Sequence, residues 1–374
     1  MKKQKRPFGQ TKIYRDINLF VLAAMSEEEA FEKFIEARWG SRHSIVCPFC
    51  DEIGGHYYRP NRHQWRCKAC HGIFGVTTGT ILEQRKLSFK TLLVAMLIFV
   101  ASPKSAAANQ THALLGVTLR TIYTLFGKLR EALWEQRDTT PLQGVVHIDG
   151  GHFCGKPRRP RVRQRPTSAI VNSRLRNRKA SIIPPQAGDT IEPWNREKLK
   201  NRRVVLVMRE VLPDVGGIKT RVVIVGSESF AHVLEPIRTY VAPGATVFTD
   251  GGSAYKKLGR WFNHDFVNHS EEYSKEDGVN QNQAESFLAR MRRAEFGILH
   301  GMRPEYLAFY ANEFAWREDM RFSSLGEKFH ALLRAVLKTS WSKAWRGYNQ
   351  GHRLAIEYNG LPYKPLVDDP FPRP

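Results

Sequence analysis

The sequence is short of acidic side chains. It contains 36 Asp and Glu residues against 58 Lys and Arg residues, which leaves a formal net charge of +22 at pH 7. A surface with this excess of positive charge repels cationic partners and attracts polyanions such as nucleic acids. The charge does not indicate a fold, but it predicts a polyanionic partner.

Cysteine is scarce as well, at five of 374 residues. Extracellular domains held together by disulfides are usually shorter and much richer in cysteine, so the composition argues against a disulfide scaffold. The basic amino terminus is not followed by the apolar core of a signal peptide. These features predict a reducing, aqueous compartment, the cytoplasm with its nucleoid.

Long hydrophobic runs are missing too. The longest apolar stretch, residues 92–101, is about half the length that spans a bilayer, so we expect a buried helix and no membrane partner. The apolar fraction of 42% suits a folded protein, and 374 residues exceed one typical core. Two or three domains are therefore expected.

Four of the five cysteines form two Cys-x-x-Cys pairs. The first pair is Cys47 and Cys50, and the second, after an interval of sixteen residues, is Cys67 and Cys70. Aromatic residues in the interval favour a β-hairpin, and two such pairs together bind one Zn²⁺ tetrahedrally. Zinc binding, worth about 10–16 kcal/mol in small zinc peptides, would stabilise a segment too small to fold by apolar burial. We predict a zinc ribbon over residues 46–80.

An amphipathic helix is predicted ahead of the ribbon, within an N-terminal region of residues 1–45. Ser26 and Glu29 fit a capping box. Apolar residues then recur at helical spacing as far as Trp39, and Gly40 follows.

Residues 88–137 are rich in helix signals and predict a helix-turn-helix DNA-binding domain. Gly116 is placed to end one helix and Thr118 to begin the next, which is the arrangement of that motif. The alternative is a plain helical bundle. The residues expected to meet DNA are, in the groove, Arg120, Thr121 and Thr124, and, near phosphates, Lys128 and Arg130.

From residue 143 to 320 short apolar runs typical of strands alternate with helical patterns. The predicted strands cover 145–148, 204–208, 219–225, 245–249 and 265–268, and the predicted helices cover 229–240, 253–258 and 282–296. The order β-β-β-α-β-α-β-α is that of the RNase H-like fold, a mixed five-stranded sheet flanked by helices. The whole chain is thus expected to be a multidomain α/β protein with a zinc ribbon, a helix-turn-helix and an RNase H-like catalytic domain.

A basic insertion interrupts this domain after its first strand. Residues 156–203 contain fifteen Lys or Arg residues and three acids, a composition that excludes a low-dielectric interior. We expect an arm that follows phosphates, with a solvated loop as the alternative. Residues 321–374 are assigned as a basic C-terminal tail.

Three acidic residues are predicted to form an active site. Asp149 and Asp250 each open an Asp-Gly-Gly motif at the expected end of a strand, and Glu285 lies on the helix expected to cross those strands. Carboxylates of this kind can hold two Mg²⁺ or Mn²⁺ ions about 4 Å apart, which stabilise both oxygens of a phosphodiester exchange. A single Asp-Gly-Gly is more typical of a turn, so the prediction depends on the joint placement of the three.

Other polar residues surround this trio. Arg292 lies two helical turns after Glu285 on the same face and is placed to bind a phosphate, with Arg293 as its neighbour. Asn282 and His269 are further candidates for the site. Two less specific residues are His152, more typical of a structural role, and Cys154, expected to be a packed thiol.

Several short motifs recur in a fixed order over roughly residues 25–320. They are Arg38-Trp39, Cys47-Pro48-Phe49-Cys50, Cys67-Lys68-Ala69-Cys70 with Phe74 to Thr80, Ile148-Asp149 with Phe153 to Lys156, Thr249-Asp250-Gly251 with Tyr255, Asn268-His269-Ser270, Asn282-Gln283-Ala284-Glu285, and Glu313-Phe314-Ala315-Trp316-Arg317. As a set, the motifs resemble those of bacterial insertion-sequence transposases of the DDE superfamily that carry an N-terminal zinc ribbon.

The resemblance implies Asp149, Asp250 and Glu285 as the catalytic triad, with Arg292 at a position that is often basic in the family. Asn282 remains an alternative third residue, since some relatives use Asn. The resemblance also implies that the chain binds double-stranded DNA, both the inverted repeats at the element's ends and the target, as a homo-oligomer.

Three other functions remain compatible with the residues. The chain could be a DNA-binding regulator with an inert catalytic domain, or a structure-specific nuclease that cuts without joining strands. The third alternative is an RNA-associated zinc-ribbon protein.

Overall fold

The computed structural model describes residues 7–154, 201–267 and 282–361. His269 and residues 156–200 of the predicted basic insertion lie outside these ranges. The helices within them are α1 (Leu19–Ala24), α2 (Glu27–Trp39), α3 (Phe89–Ala101), α4 (Ala108–Leu115), α5 (Leu119–Glu135), α6 (Phe230–Tyr240), α7 (Asn282–Ala294), α8 (Pro304–Asp319) and α9 (Leu325–Lys338). The strands are β1 (Tyr57–Arg59), β2 (Gln64–Arg66), β3 (Ile73–Gly75), β4 (Val145–Cys154), β5 (Arg202–Leu212), β6 (Gly216–Val225), β7 (Thr246–Asp250) and β8 (Asn263–Val267).

The predicted capping box begins α2. The Ser26 hydroxyl accepts a hydrogen bond from the Glu29 amide at 3.2 Å, and the Ser26 amide donates to the Glu29 carboxylate at 2.7 Å. The helix then ends before Gly40, as its sequence predicts. One face of α2 packs on the ribbon, where the ring of Phe31 stacks on that of Trp65 at 5.6 Å between centroids.

The ribbon is an antiparallel sheet in the order β1-β2-β3. Tyr57 pairs with Arg66 and Gln64 pairs with Gly75. The predicted hairpin between the two cysteine pairs is therefore present, and a third short strand completes it.

Helices α2, α3, α4, α5 and α9 build one hydrophobic core together with the ribbon. The predicted helix-turn-helix junction lies in this unit, with Gly116 in the left-handed region at φ +63°. The Thr118 hydroxyl then caps α5 by accepting from the Thr121 amide at 3.2 Å. Helix α4 begins at Ala108, and Ser105 ahead of it has a positive φ and donates its hydroxyl proton to Glu313.

The second part of the fold is a mixed five-stranded sheet in the order β6-β5-β4-β7-β8. The pairs β4–β5 and β5–β6 are antiparallel, whereas β4–β7 and β7–β8 are parallel. The predicted multidomain α/β architecture, with a mixed five-stranded sheet behind a zinc-ribbon-like cysteine cluster, is confirmed.

The first three strands of this sheet are longer than predicted. Strand β4 does not end at Asp149, because Gly150 and Gly151 continue the ladder opposite Leu206 and Val205. The Asp-Gly-Gly motif is therefore part of a strand here, not a turn. A second correction concerns residues 253–258, predicted as a short helix, which form turns followed by one 3-10 turn at Leu258–Arg260.

Each face of the sheet is covered by helices. Helix α6 packs on one face, and α7 and α8 pack on the other. The face under α7 carries the predicted site residues.

Residues of the predicted basic tail contribute to the core of the helical unit and to a core of the sheet. Helix α9 packs against α2, α3 and α5. Beyond it the chain returns to the edge of the sheet, where the Ile224 amide donates to the Asn359 carbonyl at 2.7 Å. Residues 321–361 are thus integrated into the fold. Within the described ranges, no helix combines the length and the apolar composition needed to cross a membrane.

Candidate active site and zinc centre

The four paired cysteines converge as predicted. Their sulfur atoms all lie within 4.8 Å of one another, with 3.6 Å between Cys47 and Cys70 and 3.6 Å between Cys50 and Cys67. In a zinc tetrahedron with bonds of about 2.3 Å, neighbouring sulfur atoms lie about 3.8 Å apart. The donor set and its spacing therefore fit a structural zinc ion.

The local backbone favours the thiolate form at Cys67, whereas burial raises the pKa of Cys47. Hydrogen bonds from the backbone at Cys70 and Ala69 lower the pKa of Cys67 to about 6. Each knuckle is closed by a backbone hydrogen bond, from Cys47 to the Glu52 carbonyl and from Cys67 to the Gly72 carbonyl, both at 2.9 Å.

The two aspartates of the predicted triad lie level with each other on adjacent parallel strands. Strand β4 pairs with β7 at Val145↔Thr246 and at His147↔Phe248. Asp149 and Asp250 each follow two residues later. Since side chains alternate along a strand, both carboxylates lie on the same face as His147 and Phe248, the face that α7 covers.

The surroundings of Asp149 are strongly acidic. Burial raises the pKa of Asp149 to about 7, and the carboxylates of Asp250, Glu228 and Glu285 add to this rise. Like charges this close disfavour joint ionisation, so a divalent cation between them would relieve the repulsion. This electrostatic balance fits a Mg²⁺ or Mn²⁺ site.

Glu285 reaches the site because α7 lies close across β4. The helix buries the side chains of Phe287, Leu288 and Met291 against the sheet. A Cβ atom added at Gly151 would lie 2.6 Å from Leu288 Cδ2, so only glycine permits this close approach. The glycine of the motif therefore positions the helix that carries Glu285.

A fourth carboxylate, Glu228, lies close enough to Asp149 and Asp250 to interact with their charges. A Cβ atom added at Gly150 would lie 2.5 Å from Glu228 Oε1, and that oxygen accepts a hydrogen bond from the Tyr255 hydroxyl at 2.7 Å. Burial and Asp250 raise the pKa of Glu228, whereas the hydrogen bond from Tyr255 and the charge of Arg292 act in the opposite direction.

Sequence reasoning did not find Glu228. Glu228 follows β6, which runs in the same direction as β4 and β7. The loops after β6 and β7 therefore leave the sheet at the same end of the strands. Only this topology brings Glu228 to Asp149. An acidic residue shortly after the predicted third strand is the one signal that the sequence offers.

The predicted acids are not clustered as tightly as the thiols. In the part of the chain that the structure describes, the four cysteines are the only group of three or more His, Cys, Asp or Glu side chains placed closely enough to hold one metal ion.

The remaining predicted residues are divided around the site. The Arg292 guanidinium lies 5.9 Å from the centroid of the Phe153 ring on β4, which places it against the strand that carries Asp149. Arg293 and Asn282 are exposed on α7, and His152 is exposed on β4. Cys154 is half-buried, and burial raises the pKa of its thiol.

The residues predicted to meet DNA from α5 divide into two groups. Arg120 is exposed, and Thr121, Thr124 and Lys128 line a cleft. Arg130, by contrast, is 3% exposed and its Nε lies 2.6 Å from Glu313 Oε2. Its predicted place near phosphates is therefore wrong, because Arg130 faces the core between α5 and α8.

Comparison with known protein families gives two matches. Residues 141–319 match the ISXO2-like transposase domain, and residues 25–72 match the transposase zinc-ribbon domain. Comparisons with curated proteins and with solved structures gave no match. The first match covers the five-stranded sheet with both aspartates and Glu285, and the second covers the cysteine cluster. The chain belongs to the insertion-sequence transposases that join a DDE domain to an N-terminal zinc ribbon.

Proposed function

We propose that the chain is a transposase that binds the terminal inverted repeats of its element, cuts a DNA strand there and joins the freed 3′-hydroxyl to target DNA. One observation supports this function above all others. Asp149 and Asp250 lie level on adjacent parallel strands, and the helix that carries Glu285 packs across the same face.

Asp149, Asp250 and Glu285 would hold the two Mg²⁺ or Mn²⁺ ions. Bound there, such ions supply Lewis-acid stabilisation of the attacking and leaving oxygens. Arg292, against Phe153 on β4, is placed to bind a phosphate of the strand being cut. The hydrophobic contacts of α7 with the sheet fix the position of Glu285.

The ribbon and the helix-turn-helix would recognise double-stranded DNA at the element's ends. The excess of 58 Lys and Arg over 36 Asp and Glu residues supports a polyanionic partner. We expect the chain to act as a homo-oligomer on DNA, in the cytoplasm at the bacterial nucleoid.

A strand-cleavage assay tests the proposal. The full chain is incubated with Mg²⁺ and a duplex that carries the inverted repeats flanking its gene, and both nicked and joined products are measured. We expect both products from the wild-type chain and neither from Asp149→Asn, Asp250→Asn or Glu285→Gln. Glu235→Gln, an exposed acid on α6, is the matched control.

Each alternative outcome has a distinct meaning. Nicking without joined products would identify a nuclease, and binding without either product would identify a regulator. Loss of cleavage in Asn282→Ala with full activity in Glu285→Gln would make Asn282 the third site residue.

A further inference from the structure

Three of the α5 residues that are predicted to contact DNA line a cleft. Thr121, Thr124 and Lys128 recur at helical spacing and line a cavity of about 480 Å³. Residues 80–87 form one wall of this cleft and residues 341–350 form another, and the two segments meet where the Ile81 amide donates to the Thr339 carbonyl at 2.8 Å. The helix therefore does not project alone from the surface, as a free recognition helix would.

The C-terminal wall is anchored to α5 by a buried carboxylate. Glu131, 2% exposed, accepts hydrogen bonds from the amides of Lys343 at 2.7 Å and Ala344 at 3.0 Å. Glu131 also accepts a hydrogen bond from the Ser342 hydroxyl. These bonds fix the start of the segment on the side of the helix.

An aromatic contact holds the middle of the C-terminal wall against α5. Trp345 packs where Gly127 leaves room, since a Cβ atom at Gly127 would lie 2.1 Å from Trp345 Cε2. The Trp345 ring also lies 5.4 Å from that of Tyr123. At the end of the wall, Asn349 accepts hydrogen bonds from Arg120 and Thr124, both at 3.3 Å.

Both walls are basic. The cleft is lined by four cationic residues and one acid, Glu83; the cations are Arg85, Lys86, Lys128 and Arg346. Residues 338–353 contain four Lys or Arg residues and no Asp or Glu. Lys86 on one wall and Arg346 on the other are both exposed to solvent.

The dimensions of duplex DNA suit this arrangement. An α-helix with its side chains is about 10–12 Å wide, and the major groove is about 12 Å wide and about 8.5 Å deep. A helix that enters the groove therefore brings anything on its flanks against the two phosphate backbones. The basic residues that line the cleft beside α5 carry the charge that a phosphate backbone would attract.

We propose that residues 80–87 and 341–350 form a clamp that holds the phosphate backbone beside the groove that α5 enters. The clamp deepens the proposed function, since it assumes that α5 reads double-stranded DNA. It gives the C-terminal segment a role in DNA binding that the helix-turn-helix alone would not require.

A salt-dependence experiment tests the clamp. Binding of the full chain to a 30-base-pair duplex of mixed sequence is measured by fluorescence anisotropy between 50 and 200 mM salt, without added Mg²⁺. Lys86→Ala/Arg346→Ala removes one exposed cation from each wall. Lys12→Ala/Arg15→Ala removes two exposed cations near the start of α9, about 20 Å of helix away from the clamp.

We expect the clamp variant to bind more weakly and to lower the slope of log K against log salt by about 2, because each phosphate contact contributes about 0.9. The control variant should keep the wild-type slope. Equal slopes in the two variants would overturn the clamp. Tighter binding by the clamp variant would overturn it too, because the segment would then shield α5 from DNA.

The outcomes separate the clamp from the proposed function. A changed slope with no Mg²⁺-dependent cleavage by the wild-type chain supports the clamp and refutes the transposase reaction. Cleavage and joining with an unchanged slope refute the clamp alone. Failure of the wild-type chain to bind the mixed-sequence duplex would refute the clamp, while cleavage of the inverted-repeat duplex would still decide the proposed function.

Discussion

Two neighbouring glycines give the candidate site its shape. Gly151 lets α7 approach β4 closely enough to bring Glu285 across the strands, and Gly150 leaves room for the carboxylate of Glu228. Neither glycine has a positive φ, so the absent side chain, and not backbone freedom, explains the residue type. An alanine at either position would displace a different carboxylate.

Glu228→Gln should weaken metal binding without harming the fold. Removing one of four neighbouring negative charges lowers the attraction for a divalent cation, and it also lowers the repulsion within the metal-free site. We expect a higher thermal midpoint than wild type without metal and a smaller rise on titration with Mn²⁺. The same titration of Glu235→Gln should match wild type, and an unchanged Mn²⁺ response in Glu228→Gln would show that Glu228 takes no part in the site.

Asp319 should make the free energy of unfolding depend on pH. Burial raises its pKa from 3.8 to about 6, although the Thr220 amide donates to its carboxylate. The folded state therefore holds the proton more tightly than the unfolded state. The free energy of unfolding then falls as pH rises from about 4 to about 6, by up to about 3 kcal/mol.

Asp319→Asn removes this titration. Its stability relative to wild type, measured by urea unfolding, should increase by up to about 3 kcal/mol between pH 3.5 and 7. The matched control is Asp214→Asn, at an exposed acid in the turn before β6. A stability difference between Asp319→Asn and wild type that stays constant with pH would contradict the prediction.

Among the elements, those with a local signal were predictable from the sequence. Ser26 and Thr118 begin helices as their caps indicate, and Gly40 and Gly116 follow the ends of helices. These signals work because caps satisfy backbone groups within one turn of the chain. The order of strands and helices in the sheet followed in the same way from local apolar patterns.

The lengths of the strands were not predictable, because a partner strand decides them. Gly150 and Gly151 have the sequence of a turn and are held in β4 by the ladder with β5. The position of Glu228 depends on sheet topology in the same way. The sequence was sufficient to propose Asp149, Asp250 and Glu285. The predicted order of strands and helices matches a known fold, and that fold brings these three positions together.

The zinc ribbon should depend on its metal more than the rest of the chain does. Cys67→Ser should lose the zinc ion and the order of β1–β3, because a tetrahedral site with three thiolates binds zinc less tightly. The stacked rings of Trp65 and Phe31 connect the ribbon to α2, so the near-ultraviolet circular dichroism of tryptophan should weaken. Zinc content per chain is the direct measurement.

The control for the ribbon is Cys154→Ser, which leaves all four ligands in place and should retain one zinc ion per chain. The five-stranded sheet should stay folded in both variants, because its two cores are separate from the core that contains the ribbon. Full zinc content in Cys67→Ser would contradict the assignment of that cysteine as a ligand.

At the scale of the whole molecule, one buried ionic network joins the helical unit to the five-stranded sheet. Glu313 on α8 is fully buried, and its carboxylate lies 2.6 Å from Arg130 Nε on α5 and 2.7 Å from Arg317 Nη2. Arg317 also donates to the carbonyls of Phe99 and Ser102 at the end of α3. Since α8 packs on the sheet, this network fixes α3 and α5 relative to the sheet that carries the candidate site.

Glu313→Gln should destabilise the chain more than any surface substitution. It leaves two buried guanidinium groups without a counter-charge, and breaking a buried pair in this way costs about 3–5 kcal/mol. The thermal midpoint should fall clearly, whereas the exposed Glu235→Gln should change stability by less than about 0.5 kcal/mol. A second role for the network would be to hold bound DNA ends at the proposed active site. In that case Glu313→Gln should lose more DNA joining than DNA binding at a temperature where it remains folded. Equal losses of binding and joining there would mean that the network serves stability alone.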